Sequence, residues 1–117
     1  MPTYAALLYY TEDYDWSSPE LADWMKEYTV FGVEAGDIVT GGAALQPTTT
    51  ATTIHVQGGK GGDLIASDGP YAEAKEILGG FYLLDAADLD EAISWAQRIP
   101  TAWHGRVEVR PCVNMDA

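Results

Sequence analysis

The segment Asp68-Gly69-Pro70-Tyr71-Ala72-Glu73-Ala74-Lys75-Glu76, followed by Gly79-Gly80-Phe81-Tyr82, is the most informative part of this sequence. It places three carboxylates and one ammonium group within nine residues, between two runs that are typical of β-strands. Because a residue before proline avoids the α conformation, Gly69 is expected to be extended and Pro70 to begin a short helix. Asp68 would then lie just before that helix, where a carboxylate can accept from free backbone amides. Two interpretations stay open here: a functional site, since loops between strands often carry one, or a turn aspartate beside a solvated helix.

Length and composition indicate one folded domain, residues 1–117, with 47% hydrophobic and 21% charged residues. The net charge of −12 disfavours direct contact with nucleic acid or with an anionic membrane. A single cysteine, Cys112, excludes an internal disulfide and suits a reducing cytosol. The first ten residues lack the basic start of a signal peptide, and the apolar runs are too short to span a bilayer. We therefore predict a cytoplasmic protein.

Hydrophobic periodicity predicts strand, helix, strand, hairpin, strand, helix and strand in that order. Ser18 and Pro19 are expected to begin the first helix and Gly36 to end it, and Asp88 with Glu91 forms a capping box for the second. This is an α+β pattern of the ferredoxin-like type with an additional β-hairpin. The predicted strands are residues 3–10, 38–45, 51–57, 63–67, 79–85 and 106–112, and the predicted helices are residues 19–35 and 89–99.

Two of the predicted strands, residues 3–10 and 79–85, are apolar on both faces. Two helices can cover only one face of the sheet, so the other face needs a partner. A second copy of the chain would supply one, and we predict a homodimer. In the first helix an apolar stripe that includes Trp24 and Tyr28 is expected to be core. In the acidic connection before it, Tyr14 and Trp16 would either form a lid over a site or pack the helix onto the core.

The candidate site combines Asp68, Glu73, Lys75 and Glu76 with Glu108 and Arg110 of the last strand. Glu108 and Arg110 alone would form a structural salt bridge, whereas Asp68 beside them would make a polar pocket for a small molecule. In such a pocket Asp68 could act as general acid or base, with Lys75 or Arg110 stabilising an oxyanion. We predict Asp68 as the catalytic residue, and as ligand contacts Lys75, Glu76, Glu108, Arg110, Tyr71 and Tyr9.

The remaining nucleophiles and ligand-forming residues give no recognisable motif. His55 and His104 are expected to be solvated or cross-strand residues, and neither HxxxH nor CxxC spacing occurs, so no metal site is predicted. The glycine-rich run around Lys60 lacks the spacing of a nucleotide-binding loop. No cofactor is predicted.

The signature Asp68-Gly69-Pro70-Tyr71 resembles the Asp-Gly-Pro-Phe motif of the DGPF proteins within the YCII-related family. The similarity extends to Ala51-Thr52-Thr53, Glu73-Ala74-Lys75-Glu76, Gly79-Gly80-Phe81-Tyr82 and Glu108-Val109-Arg110-Pro111, and so covers nearly the whole chain. One departure is that Tyr71 replaces the phenylalanine. The resemblance implies a dimeric α+β barrel.

The resemblance also implies two different functions. The YCII-related group includes a lyase that eliminates chloride from a hydroxyquinone, and a His-Asp pair has been proposed as the catalytic centre of several members. The predicted first strand and first helix of this chain contain no histidine. Of the His-Asp pair that the resemblance implies, only the aspartate, as Asp68, could be present in this chain. DGPF proteins are also commonly encoded beside extracytoplasmic-function sigma factors, which implies a regulatory partner. We therefore expect binding, with acid-base conversion as an extension, of a small polar or aromatic metabolite, and the alternative is docking to a sigma factor.

Overall fold

The computed structural model describes residues 1–11, 13–14, 17, 19–71 and 75–115. It contains two antiparallel sheets and three helices, which confirms the predicted α+β class. Ser18, the predicted helix cap, lies outside the described residues. In chain order the elements are β1 (Thr3–Thr11), α1 (Leu21–Ala35), β2 (Val39–Ala44), β3 (Thr52–Gln57), β4 (Asp63–Asp68), β5 (Glu76–Asp85), α2 (Leu89–Ala96), α3 (Thr101–His104) and β6 (Arg106–Pro111).

The main sheet has the strand order β2-β5-β1-β6, and its neighbouring strands are antiparallel. Among the described strands, β3 and β4 pair with each other alone and form a separate two-stranded sheet. Without this hairpin, the strands and the two longer helices follow one another as β-α-β-β-α-β, the element order of the ferredoxin-like type that the sequence predicts. Of the described helices, none is long and apolar enough to cross a membrane.

The core lies between the helices and one face of the main sheet. Alternate residues of β1, namely Tyr4, Ala6 and Leu8, are buried on this face because successive side chains of a strand point to opposite sides. Leu84 of β5 and Ile99 after α2 are fully buried against them. Burying a leucine or isoleucine side chain contributes about 1.5 to 3 kcal/mol, so these few residues hold the helices on the sheet.

The opposite face of the main sheet carries apolar side chains that none of the described helices covers. Leu7 pairs with Phe81, and Ala5 pairs with Leu83, so these four residues share one face. All four are half-buried. We call this surface the outer face.

The β3–β4 hairpin extends from the body as an arm. All its strand residues except Thr53 are exposed. The chain is correspondingly flat, with extents of 46 × 45 × 19 Å and a radius of gyration of 16.6 Å, against about 13.4 Å for a compact chain of this length.

Two of the predicted helix-end signals, Gly36 and Asp88, agree with the structure. Gly36 follows α1 with a φ of 53°, the left-handed conformation that glycine adopts at helix ends. Asp88 caps α2, because its carboxylate accepts a 2.9 Å hydrogen bond from the amide of Glu91. The short helix α3 is absent from the prediction, which ended helical structure at Pro100. Pro100 instead directly precedes a new four-residue helix, as its N-cap residue, and the missing amide hydrogen of proline costs no helical hydrogen bond there.

The turn after β4 differs from its prediction. Gly69 has a φ of 98° instead of an extended backbone, and Asp68 belongs to β4. Gly69 and Tyr71 are bends, and neither Pro70 nor Tyr71 is helical. Proline restricts the residue before it, but glycine has no Cβ and escapes that restriction through positive φ.

Candidate functional site

The structure distributes the predicted site residues over two sheets. Asp68 is exposed at the end of β4, opposite Thr52, and makes no ion pair with another described residue. Glu108 and Arg110 lie on β6 in the main sheet and pair with each other. The single chain therefore does not bring Asp68 to Arg110.

The pair of Glu108 and Arg110 lies on the outer face, beside Leu7 and Ala5 of β1. Their side chains remain 45% and 68% exposed. An exposed ion pair contributes about 0 to 1 kcal/mol, so in the single chain this pair is a surface salt bridge. Tyr9 shares the outer face, opposite Arg106, and is half-buried.

The other predicted ligand contacts follow the hairpin. Tyr71 is 91% exposed, and Lys75 is exposed just before β5. Glu76 begins β5 and pairs with Thr11. Glu73 lies outside the described residues. In the single chain these side chains line no common pocket.

The signature Asp68-Gly69-Pro70 closes the base of the hairpin. The Gly69 amide donates to the Ala51 carbonyl at 2.7 Å, and the Thr53 hydroxyl donates to the Gly69 carbonyl at 2.8 Å. Both bonds need the turn that Gly69 makes with positive φ. The observed role of this glycine is thus to fix how the arm leaves the body.

A cavity of ≈ 410 Å³ lies between α1, α3 and the helix-covered face of the main sheet. Its volume is within the range of small-molecule sites. Aromatic rings dominate its walls, and among the described residues its lining contains no Asp, Glu, Lys or Arg. The rings, together with His104, are those of Tyr10, Tyr14, Trp24, Tyr28 and Tyr82. We call this space the aromatic cavity.

His104, the last residue of α3, is the most polar group in the aromatic cavity. Its ring lies between Tyr14, at 5.0 Å between centroids, and Trp24, at 4.9 Å. Its Nδ1 atom is buried and has no hydrogen-bond partner among the described residues. Desolvation lowers the pKa of His104 below its usual value, so the imidazole is neutral at pH 7. The prediction that His104 is a solvated loop residue is therefore wrong.

Two phenols supply further polar atoms to the cavity wall. The hydroxyl of Tyr28 is hydrogen-bonded to the hydroxyl of Thr101, which links α1 to the start of α3. Burial raises the pKa of Tyr28 and of Tyr82, so both phenols stay protonated well above neutral pH. The ring of Tyr82 packs on Phe31 at 5.2 Å and closes the end of the cavity towards the core.

A β-bulge shapes the floor of the cavity. The pairing of β1 with β5 shifts between Leu8 and Tyr9, so that Gly79 has no partner on β1. The carbonyl of Gly79 instead accepts from the Leu45 amide at 2.9 Å. A Cβ atom on Gly79 would lie 2.5 Å from the Tyr10 ring, so only glycine allows this ring to lie over the strand.

A second, shallower pocket lies on the hairpin, between Thr53, His55, Ile65, Ser67 and Tyr71. It is open to solvent and does not include Asp68. Within the described part of the chain, no three His, Cys, Asp or Glu residues lie close enough together to hold a metal ion.

Sequence reasoning missed the aromatic cavity because its walls come from residues that look like core. Trp24 and Tyr28 lie on the stripe of α1 that was predicted as core, yet only the later part of that stripe, Phe31 and Ala35, is buried. Tyr14 also lines the cavity, which agrees with the lid interpretation, while Trp16 lies outside the described residues. The available signal was Trp103-His104-Gly105, an aromatic-flanked histidine before a glycine that permits close packing.

Comparison with known proteins identifies the family. The family model described as "YCII-related domain" matches residues 3–116. A protein of Rhizobium meliloti (strain 1021) is 41% identical over 115 residues, which cover 92% of this chain and 90% of that protein, and it is described only as uncharacterised. With the family model matching almost every residue, the chain belongs to the YCII-related family.

Proposed function

We propose that this protein binds a small, neutral, planar aromatic molecule in the aromatic cavity. The observation that carries this proposal is the buried Nδ1 of His104, which has no hydrogen-bond partner in a cavity walled by aromatic rings. Leaving a buried polar atom unpaired costs about 1 to 3 kcal/mol, and a ligand with one hydrogen-bonding group would remove that cost. The rings of Tyr14 and Trp24 supply flat apolar surfaces on either side of His104.

The absence of ions from the described cavity lining favours a neutral ligand over an anion. No Lys or Arg side chain lines the cavity, and His104 is neutral at pH 7. An anion would lose its hydration there without gaining a charged partner. The chain's own charge of −12 disfavours it further.

The test is a comparison of two probes of similar shape, 2-naphthol and 2-naphthalenesulfonate, by isothermal titration calorimetry. We expect the neutral probe to bind and the anion to bind at least tenfold more weakly. His104→Phe should lower the affinity for 2-naphthol by about fivefold, which corresponds to the loss of one hydrogen bond of about 1 kcal/mol.

The matched control is His55→Phe, which removes the chain's other histidine from the exposed hairpin. It should leave the affinity for 2-naphthol unchanged. The proposal fails if neither probe binds, or if the two histidine variants weaken binding equally.

The predicted acid-base role of Asp68 is a separate hypothesis. It requires a second copy to close over the carboxylate, which one chain leaves exposed. If Asp68 serves a site, Asp68→Asn should abolish the thermal shift that a bound metabolite produces. If it only braces the hairpin, the same variant should lower the melting temperature in the presence and absence of the metabolite alike.

We also propose that the protein is a homodimer. The chain exposes 8322 Å², whereas a compact monomer of 12.7 kDa should expose about 6,200 Å². The excess of roughly 2,000 Å² is more than the area that one partner contributes to many obligate homodimer interfaces. The outer face, with Leu7, Phe81 and Leu83, is the natural contact because no helix among the described residues covers it. Sedimentation that gives the monomer mass at 50 μM would refute this proposal.

Docking to a sigma factor remains a prediction that no described contact favours. Charge reversal at Asp90 is its cleaner test, because Asp90 is exposed. Reversal at Asp88 would also remove the cap of α2 and would confuse docking with stability.

A further inference from the structure

An exposed apolar surface lies on the β3–β4 hairpin. The register pairs Ile54 with Ala66 and Val56 with Leu64, so these four side chains share one face. Ile54 and Leu64 are each 66% exposed. We call this set of residues the arm face. A two-stranded hairpin is marginally stable by itself, and packing against another surface is what such a hairpin normally needs.

Both strands of the hairpin are also edge strands, with one side of each backbone unpaired. Soluble proteins usually protect such edges with charges, prolines or bulges. Residues 52–57 and 64–67 contain no Lys, Arg, Asp, Glu or Pro, and their pairing runs without a register shift. An unprotected apolar hairpin of this kind favours association unless something covers it.

We infer that the arm face is covered by a second copy of this chain, so that the hairpin is part of the dimer interface. This inference rests on the proposed homodimer and extends it from the outer face to the arm. The excess of roughly 2,000 Å² exposed by one chain exceeds what a stable dimer needs from each partner, which leaves room for both surfaces in one interface.

Charge favours a second copy as the occupant. Two chains of −12 repel each other, so a close contact between them must use surfaces with little charge. The arm face contains no ionisable side chain, and residues 52–67 hold one acid, Asp63, and one base, Lys60. A basic partner would instead be attracted to the acidic surfaces elsewhere on the chain.

The signature turn gives this contact a fixed geometry. The bonds of Gly69 with Ala51 and of Thr53 with Gly69 close the base of the hairpin, and they set the direction in which the arm leaves the body. A fixed direction lowers the entropy lost when the arm meets its partner.

The test uses the full chain and the double variant Ile54→Asp/Leu64→Asp, studied by analytical ultracentrifugation with matched circular dichroism spectra. By two-fold symmetry the variant places four extra carboxylates in the interface. We expect its dimer dissociation constant to rise at least tenfold. The control is His55→Asp, which adds a carboxylate to the opposite face of the same strand and should change the constant by less than threefold.

A second measurement does not depend on substitutions. Amide hydrogen exchange of residues 52–68 should be slow at protein concentrations where the dimer forms and at least tenfold faster in the monomer. If the wild type dimerises while the double variant dimerises equally tightly, or if the hairpin amides exchange alike in both states, the arm lies outside the interface and only the outer-face dimer stands. If the wild type is a monomer, the homodimer proposal and this inference both fail, and the arm has another partner.

Discussion

The imidazole of His104 is the cavity group whose protonation changes nearest to neutral pH. Its neighbours in the cavity are rings and hydroxyls, among them Tyr14, Trp24 and Thr101, and no carboxylate lines the cavity within the described residues. A proton on this ring would therefore gain no opposite charge to offset its lost hydration. For that reason the stability of the fold and the protonation of His104 are linked.

We predict that His104→Phe makes the melting temperature less sensitive to acid. In the folded protein desolvation lowers the pKa of His104 below its usual 6.5. As pH falls through that unfolded-state value, the unfolded chain binds a proton that the folded chain does not, so unfolding becomes more favourable. The fold continues to lose stability until the pH passes below the lowered folded-state pKa of His104. Well above pH 6.5 this loss of stability is absent.

Differential scanning calorimetry between pH 7.5 and 5 measures the melting temperature of the wild type and of His104→Phe. Titration of the carboxylates is common to both proteins, so the difference between them reports on His104. The control is His55→Phe, which leaves the imidazole of His104 in place. The prediction is contradicted if His104→Phe and His55→Phe reduce the pH dependence of the melting temperature equally.

A second prediction at this scale concerns Gly79. In Gly79→Ala the new methyl group would lie 2.5 Å from Cε1 of Tyr10, so the ring must move and the floor of the aromatic cavity must change. Overpacking of this kind costs about 1 to 3 kcal/mol. We expect lower stability in urea and weaker binding of 2-naphthol.

Gly32→Ala is the matched control for Gly79→Ala. A Cβ atom on Gly32 meets nothing within 4 Å, and alanine favours a helix by about 1 kcal/mol relative to glycine. This substitution in α1 should therefore stabilise the protein slightly and leave binding unchanged. If the two substitutions have the same effect on binding, Gly79 does not shape the cavity.

Among the elements, α2 has the best-defined start. The Asp88 carboxylate accepts from the Glu91 amide, and the Glu91 carboxylate reaches back to the Ala87 amide at 3.4 Å. We predict that Asp88→Ala lowers the free energy of unfolding by about 1 kcal/mol, measured by urea denaturation at one protein concentration. Asp90→Ala also removes one negative charge from the first turn, but it leaves the cap in place. It should lower the free energy of unfolding by only about a few tenths of a kcal/mol. Equal losses would show that the effect comes from charge alone.

The strands and the longer helices could be predicted because their signals are local. Alternation in β1 and β6, the glycine-rich hairpin tip and the cap at Asp88 each depend on residues close together in the chain. α3 could not be predicted, because four residues are too few to show a helical period. For the same reason His104, at its end, was taken for a loop residue.

The candidate site was harder to predict because it depends on how elements approach each other. Periodicity indicates that one side of α1 is apolar, but it does not distinguish a side chain packed on the sheet, such as Phe31, from one that lines a cavity, such as Trp24. The charge cluster around Asp68 was visible in the sequence. Its distance from Arg110 was not, since it depends on the hairpin forming its own sheet.

At the scale of the whole molecule, shape and charge act in opposite directions. The chain is flat, with an uncovered outer face and an exposed arm, and both surfaces are apolar. Dimerisation is favoured because it removes these surfaces from water. Eighteen acidic against six basic residues oppose the same pairing, because two copies bring together −24 of formal charge. The stability of the proposed dimer is the difference between the burial of apolar surface and the repulsion of charge. Salt strongly changes only the repulsion.

We therefore predict that added salt tightens the dimer. Raising sodium chloride from 0.05 to 0.5 M shortens the Debye length from about 14 Å to about 4 Å and so screens the repulsion between the copies. Sedimentation equilibrium should give a dissociation constant several-fold lower at the higher concentration. Binding of a basic partner, as the sigma-factor hypothesis requires, would weaken over the same range, because screening there reduces an attraction. A dimer that loosens with salt would mean that ion pairs across the interface, such as ones made by Arg110 and Glu108, outweigh the net repulsion. The apolar residues of the arm face and the outer face would then not be its main contacts.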